Sequence, residues 1–387
     1  MGGMYPALFY IFKRKVPEAV GSWWKQMKPK IFLFIILLIS LTSCNGQSTS
    51  GTHNKQTAIT IGERVTELSN SIIIVFQSAN GTYWFGSDKD GVYCVDGKTI
   101  IHFSTKHGLS DNRIRSIQED KQGNIYISTL GGINKFDGQT LTTLTPIKEN
   151  NWKLKPDDLW FSMVGKSGDK GPYRYDGKNL YQLEFPKHYM EDEYFTKFPG
   201  KAWSPYEVYH IYKDRKGTMW FGTSNFGVCR YDVVSFSWLY EDQLTNVPNG
   251  GSFGIRSIYE DTKGKFWICN TRQRFNIIGD SITADGKSLI TYNTATGIEG
   301  IKATDGADHV YFMSIVEDKT GDLWMATYEQ GVWRYDGEKV IHYDIKNGTN
   351  EVTLFSVYKD RNDSLWLGTH ETGVYKFDGT AFVKFRP

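Results

Sequence analysis

The chain has 387 residues, 15% of them aromatic, with 39 glycines and 11 prolines, a composition that favours many short strands joined by tight turns. Its formal charge of +2 depends on the N-terminal segment: residues 1–43 hold six basic groups and one acid, which leaves 39 basic against 42 acidic side chains beyond them. A near-neutral chain with no basic run after residue 43 excludes the nucleic-acid-binding class of protein.

The N-terminal segment has the pattern of a secretory signal. Lys28 and Lys30 precede the apolar run 31–39, and a Leu-Thr-Ser-Cys sequence then ends at Cys44. This ending resembles a bacterial lipobox, in which the cysteine thiol accepts a lipid and several acyl chains give stable membrane anchoring. We therefore predict lipid attachment at Cys44. The alternative is an ordinary cleaved signal with a chance cysteine.

The residues around Cys44 set the predicted domain limits. Residues 1–43 are a leader whose true start is either Met1 or Met27, and the polar stretch 44–56 predicts a flexible tether. Asn45, in place of aspartate after the cysteine, goes with transfer to the outer membrane. We expect the protein at the periplasmic face or the surface of that membrane, with residues 57–387 as its folded domain.

A unit of four-strand length recurs through this domain. Its aromatic anchors are Trp84, Tyr126, Trp160, Trp220, Trp267, Trp324 and Trp366, on average 47 residues apart. An aspartate lies six residues before the anchor in five copies, at 120, 214, 261, 318 and 360, where it can hydrogen-bond its own turn. A glycine lies three residues before the anchor, at 81, 123, 217, 264 and 321, where the hairpin requires positive φ.

These repeats predict an all-β fold, a seven-bladed β-propeller of four-stranded antiparallel blades over residues 57–387. The third copy has Leu154 in place of the aspartate, so six blades with a distorted insertion is the alternative. Closing the ring removes exposed sheet edges. We expect residues 58–61 to join residues 381–385 in the last blade as a clasp.

The best-formed copy runs Asp318-Lys-Thr-Gly-Asp-Leu-Trp-Met-Ala-Thr327 and continues as Gly331-Val-Trp-Arg-Tyr-Asp-Gly337. This unit resembles the two-component regulator propeller repeat, and the resemblance covers residues from about 72 to 386. It implies a periplasmic, ligand-sensing propeller of a kind that often precedes a membrane span and a histidine kinase. No kinase sequence follows here, so we expect any sensor kinase to be a separate protein.

Candidate binding residues lie on inner strands and on long links between units. The links 184–207, 241–254 and 293–310 are expected on one face, around the central channel. Tyr194 and Trp203 could stack on a sugar or a peptide, or could instead pack against the propeller's own edge. Arg115, His210 and Arg256 are predicted near the axis, where they could receive an anionic group or simply line a wet channel.

Catalytic motifs are weak. Residues 250–254 match Gly-x-Ser-x-Gly but lack the strand–turn–helix context of a nucleophile elbow, and His188 with Glu191 is a single pair without further zinc ligands. We predict no catalytic residue, no metal site and no cofactor. Cysteines 94, 229 and 269 fall in separate units and are predicted to be buried thiols.

These observations favour a lipid-anchored binding propeller that recognises a small ligand or an envelope protein and acts as a sensory accessory. One alternative is an enzyme of the streptogramin-lyase type, a seven-bladed propeller that uses an axial histidine with Mg²⁺. His210 is the one inner-strand candidate for that histidine. A second alternative is a structural scaffold whose rim binds other envelope proteins.

Overall fold

Short antiparallel strands make up nearly all of the described chain. The computed structural model describes residues 61–165, 168–200, 203–247, 251–252, 254–303 and 306–387. The predicted leader, tether and lipid-attachment residue Cys44 lie outside these residues. Within them, no helix is both long enough and apolar enough to cross a membrane.

Six of the repeat units are four-stranded meanders, in which each strand pairs with the next strand of the chain. Their strands are Ile72–Gln77, Tyr83–Ser87, Val92–Asp96 and Thr99–Phe103 (unit 1); Ile114–Glu119, Ile125–Thr129, Ile133–Phe136 and Leu141–Leu144 (unit 2); Val208–Lys213, Met219–Thr223, Val228–Tyr231 and Phe236–Leu239 (unit 4); Ile258–Glu260, Phe266–Ile268, Gln273–Ile282 and Ser288–Thr296 (unit 5); Phe312–Glu317, Leu323–Thr327, Val332–Tyr335 and Val340–Tyr343 (unit 6); and Leu354–Lys359, Leu365–Thr369, Val374–Phe377 and Phe382–Lys384 (unit 7). The predicted all-β propeller architecture is confirmed.

Unit 3 is built differently. Its strands Leu159–Phe161, Tyr173–Tyr175 and Leu180–Gln182 are antiparallel, but Pro146–Ile147 pairs with the last of them in parallel. Trp160 lies opposite Arg174, as Trp220 lies opposite Arg230 in unit 4, so Leu159–Phe161 corresponds to a second strand. The described chain places no first strand in unit 3, and the expectation of four antiparallel strands is wrong there. We interpret unit 3 as an incomplete blade, which brings the number of blades to seven.

The outer edges also differ from expectation. The strand Glu63–Val65 pairs with Thr99–Phe103 on the outside of unit 1, and unit 7 is completed by its own strand Phe382–Lys384. The N-terminal strand Glu63–Val65 therefore covers the edge of the first unit. Residues 58–60 of the predicted clasp lie outside the described residues, so the clasp stays a prediction. Units 4 and 5 merge into one eight-stranded sheet, because Trp238 pairs in parallel with Leu289.

The last unit packs directly on the first. Ser356 Oγ donates to the carbonyl oxygen of Ile73 at 2.7 Å, and the Tyr83 hydroxyl donates to Asp360 Oδ2 at 2.7 Å. Similar bonds join other neighbours: Ser314 Oγ of unit 6 donates to the Val357 carbonyl of unit 7 at 3.2 Å, and Ser128 Oγ of unit 2 donates to the Ser162 carbonyl of unit 3 at 2.7 Å. The units therefore form a closed ring, with the first strand innermost in the six units that have one.

The anchor aromatics form the core between neighbouring units. Trp220 is buried, with its ring centroid 4.5 Å from that of Phe266 in unit 5. Its indole Nε1 donates to Asp214 Oδ2 at 2.8 Å, while Asp214 Oδ1 accepts the backbone N–H groups of residues 216 and 218. The predicted turn role of the aspartate is confirmed, and the structure adds a bond to the anchor.

Candidate functional site

One end of the ring collects the longest connections. In a four-stranded meander, the turn between strands two and three and the link from strand four to the next unit lie at the same end. The link before unit 4 contains the helix Glu191–Lys197, and the link before unit 5 contains the helix Asp242–Thr245. The third predicted link is shorter than expected, because the strand Ser288–Thr296 continues into it.

The inner strands share an irregularity at this end. A β-bulge interrupts the pairing of strands one and two at the residue eleven positions before the anchor aromatic. These residues are Ile73, Arg115, Tyr209, Met313 and Phe355. Arg256 has the same spacing before Trp267 in unit 5. Because a bulge re-aims one side chain, the repeat brings these five side chains to one level of the ring. The contact of Arg256 with the Tyr209 ring places Arg256 beside them.

Contacts show that these side chains converge. The guanidinium of Arg256 lies over the Tyr209 ring, 3.8 Å from its centroid. Burial lowers the pKa of Arg256, and the positive charge of Arg115, three units away in the chain, lowers it further. Arg115 itself donates to Asp88 Oδ1 of unit 1 at 2.7 Å. Charges from units 1, 2 and 5 therefore meet near the ring axis.

Unit 7 completes this group. The His370 ring lies 5.3 Å from the Phe355 ring, centroid to centroid. Burial lowers the pKa of His370, while the nearby Asp88 carboxylate raises it and Arg115 lowers it. We call the set Asp88, Arg115, Tyr209, Arg256, Met313, Phe355 and His370 the channel mouth. Of this set, the sequence predicted only the two arginines, although the constant spacing of eleven residues before the anchor aromatic is visible in the sequence.

His210 does not belong to the channel mouth. It lies one residue beyond the bulge, and its Nε2 donates to the carbonyl oxygen of Ile258 in unit 5 at 3.2 Å. Burial lowers its pKa to about 4, so the ring is neutral near pH 7. The residue on which the lyase alternative depends therefore links two units. In the same inner-strand position, Ser314 and Ser356 make the equivalent links.

The aromatic residues predicted on the first long link have mixed roles. Tyr194 lies on the helix Glu191–Lys197, donates from its hydroxyl to Asn225 Oδ1 at 3.3 Å and packs edge-on against Phe226. Burial raises the pKa of Tyr194, and a hydrogen bond with Trp203 partly offsets this rise. Trp203 is 48% exposed. The helix therefore borders the channel mouth, with Tyr194 as packing and Trp203 open to solvent.

A cavity of about 270 Å³ opens beside the mouth, between units 5 and 6. Its apolar wall includes Leu244, Val310, Phe312 and Met313, together with the Cys269 thiol, whose pKa burial raises to about 11. Its polar lining includes Arg256, His309, Tyr311, Thr327, Glu329 and Gln330. A concave apolar site with a few polar groups is the usual form of a small-molecule pocket.

The predicted absence of catalytic machinery stays a prediction. All three described cysteines are buried thiols, as expected. His188 is buried in an aromatic cluster, where burial lowers its pKa to about 3, and Glu191 accepts a hydrogen bond from the Tyr206 hydroxyl. The Ser252 side chain lies outside the described side chains. In the part of the chain that the structure describes, no three His, Cys, Asp or Glu side chains group closely enough to share a metal ion.

Two segments, residues 108–131 and 203–225, match the family model described as two component regulator propeller. The resemblance predicted from the repeat residues is therefore confirmed. A histidine kinase, P4, from Formosa agariphila is 25% identical over 256 residues, which is 62% of this chain but 17% of the kinase. The chain thus spans about a sixth of the length of that relative.

Solved structures share the fold at low identity. The extracellular domain of a one-component system protein from B. thetaiotaomicron is 19% identical, with a TM-score of 0.51 over 81% of this chain and 39% of that one. Virginiamycin B lyase from Staphylococcus aureus is 12% identical, with a TM-score of 0.55 over 81% of this chain and 97% of the lyase. At such identities these likenesses show a common propeller fold alone.

Proposed function

We propose that this protein, which carries two-component regulator propeller repeats, is a sensory propeller of the bacterial envelope, anchored by lipid on Cys44. Its channel mouth recognises a small ligand, such as a sugar or a peptide, or an envelope protein. Recognition is passed to a separate sensor kinase. The lipid would hold the ring at the periplasmic face or the surface of the outer membrane, with residues 44–56 as the tether.

The single observation that carries this proposal is the shared bulge position. The bulge in five units, and the same spacing before the anchor in unit 5, place unlike side chains at one end of the axis: two arginines, a tyrosine, a methionine, a phenylalanine and an isoleucine. Packing alone would be served by one repeated apolar residue. A varied set on a rigid repeated frame is what a recognition surface requires.

The experiment is a gene replacement in the native host with transcript profiling. Tyr209→Ala combined with Phe355→Ala changes the channel mouth. Val234→Ser combined with Glu338→Ala changes exposed turns at the opposite end of the ring and is the matched control. We expect the mouth variant to reproduce the transcript changes of a gene deletion at normal protein level, and the control to behave as wild type. A deletion without regulatory effect, or a mouth variant indistinguishable from wild type, would contradict the proposal.

A further inference from the structure

The cavity between units 5 and 6, which opens beside the channel mouth, has room for a small ligand. Its volume of about 270 Å³ lies just below the roughly 300–1,000 Å³ of drug-sized pockets, which suits a monosaccharide or one amino acid. Leu244, Val310 and Phe312 are buried and line one wall. This wall can hold a carbon skeleton out of water, so the polar lining decides which ligand is preferred.

Arg256 gives the cavity a fixed positive charge. Its guanidinium is held over the Tyr209 ring at 3.8 Å, and its backbone N–H donates to Cys269 Sγ at 3.2 Å. The Arg115 charge acts on the same region, as the lowered pKa of Arg256 shows after the larger effect of burial. A guanidinium held in a partly dry cleft attracts carboxylates, because its planar N–H groups match the two carboxylate oxygens.

His309 adds a polar group to the wall. The residue is 7% exposed, and its Nδ1 lies 2.8 Å from Asp308 Oδ1, so Nδ1 carries a proton that it donates to this carboxylate. Its buried Nε2 has no hydrogen-bond partner among the described residues. A buried nitrogen without a partner costs free energy unless another group satisfies it. A ligand hydroxyl or amide N–H would supply that donor.

One charge in the lining acts against an anion. Glu329 lies in the turn after the strand Leu323–Thr327 and is exposed, so solvent and salt screen its charge. Arg256 is far less accessible to water, and an interaction there is screened less. The buried Glu207 carboxylate, outside the cavity lining, partly offsets the Arg256 charge and also accepts the backbone N–H of Gly165. Arg256 is the guanidinium of the cavity lining, so a ligand carboxylate is expected there.

We propose that this cavity binds a small carboxylate about the size of one monosaccharide or one amino acid. The carboxylate pairs with Arg256, a hydroxyl or amide N–H of the ligand donates to His309, and the carbon skeleton lies against Leu244 and Phe312. The assignment rests on the proposed function, since it names the ligand class of that same surface. A sugar acid and an amino-acid derivative share this chemistry, and the test separates them.

The test is isothermal titration of the full-length protein with two matched pairs. The first pair is glucuronate and glucose, and the second is N-acetyl-leucine and N-acetyl-leucinamide, so each pair differs in a carboxylate. We expect one acid to bind at least about tenfold more tightly than its neutral partner, the effect of one charge-assisted contact. Binding of neither acid, or equal binding within both pairs, would overturn the assignment.

Variants place the binding in the cavity. Arg256→Gln should weaken the acid about tenfold and leave its neutral partner unchanged, whereas Arg115→Gln, in the same register but outside the cavity, should change binding less than about threefold. Met313→Trp fills the cavity without removing a charge and should abolish binding. This variant tests the same cavity independently if Arg256→Gln does not fold. Acid binding that survives in both folded variants excludes this cavity.

The same variants separate this inference from the proposed function. If Arg256→Gln leaves the transcript profile normal while Tyr209→Ala with Phe355→Ala abolishes regulation, the small-carboxylate assignment fails and the sensory function stands. If neither change alters regulation, both fail.

Discussion

The aspartate that five units carry six residues before the anchor aromatic joins the turn to the core. In units 4 to 7 its second carboxylate oxygen accepts the anchor indole N–H at 2.8–2.9 Å, and in unit 2 Asp120 accepts the Tyr126 hydroxyl at 3.0 Å. Burial opposes ionisation of Asp360, but the bonds from Trp366, Tyr83 and backbone amides outweigh it, and its pKa lies below the ordinary value. One side chain thus satisfies both the turn and the buried indole.

Two units lack this aspartate, and both leave the indole unsatisfied. Ser78 stands six residues before Trp84, and Leu154 stands six residues before Trp160. The Nε1 atoms of Trp84 and Trp160 are buried without a hydrogen-bond partner among the described residues. Both departures are visible in the sequence. Their cost in folding free energy depends on the burial of the indole N–H, which only the structure shows.

Restoring the aspartate in unit 1 should stabilise the protein. We expect Ser78→Asp to raise the free energy of unfolding by about 1 kcal/mol by giving the Trp84 indole an acceptor, while Asp214→Ala should lower it by about 1–3 kcal/mol. Urea unfolding followed by fluorescence measures both changes. The control is Ser78→Asp in a Trp84→Phe background, where the gain should vanish. An equal gain in both backgrounds would show that the indole is not involved.

At the scale of the element, the turn between strands three and four shows how one residue strains a hairpin. Glycine follows aspartate in the turns at 97, 138, 177, 337 and 379, all with positive φ. Unit 4 has Val233 at this place, with φ of +81°, and its side chain is 53% exposed. A β-branched residue in this region is strained, since its Cβ crowds the backbone.

We expect Val233→Gly to raise the free energy of unfolding by about 1 kcal/mol, because the relieved strain exceeds the entropy cost of glycine. The neighbouring residue Val234 is 91% exposed and lacks positive φ, so Val234→Gly should lower stability by about 0.5–1 kcal/mol. Thermal unfolding of the two variants under identical conditions is the measurement. Destabilisation by both changes would refute the strain at Val233.

The sequence predicts these elements well where spacing repeats and poorly where it breaks. The glycine three residues before the anchor has positive φ in all five predicted copies, and Asp363 adopts φ of +64° at that place in unit 7. In unit 3 the sequence departs from the repeat at Leu154, where the aspartate is expected, and at Asp157, where the glycine is expected. Neither departure indicates that the described residues place no first strand there.

The candidate site was predicted in part for a related reason. Alternation along a strand locates its inner face, but a bulge shifts the register by one residue and exchanges the two faces. Arg115 and Arg256 were therefore correctly expected at the axis, whereas His210 was expected there in place of Tyr209. The cavity beside Arg256 could not be predicted, since its lining comes from five separate stretches of the chain, from Leu244 in the link before unit 5 to residues 327–330 of unit 6.

Ring closure is the property of the whole molecule on which the proposed site depends. The channel mouth exists only because unit 7 meets unit 1, which brings the bulge positions of distant repeats together. The turns between strands one and two also meet across this junction: Arg361 Nη2 of unit 7 lies 3.7 Å from Glu119 Oε2 of unit 2, and the amide of Ala79 in unit 1 donates to the same carboxylate.

Zero-length cross-linking tests this closure most directly. In the Arg361→Lys variant of the full-length protein, a carbodiimide should join the introduced amine to Glu119, and mass spectrometry of the monomer should detect the linked peptides. Lys319 and Asp363, 3.9 Å apart in the consecutive units 6 and 7, provide the internal control. We predict both links. If the control link between Lys319 and Asp363 forms but no link joins position 361 to Glu119, the units form an open array. This result would contradict the closed ring and its channel mouth.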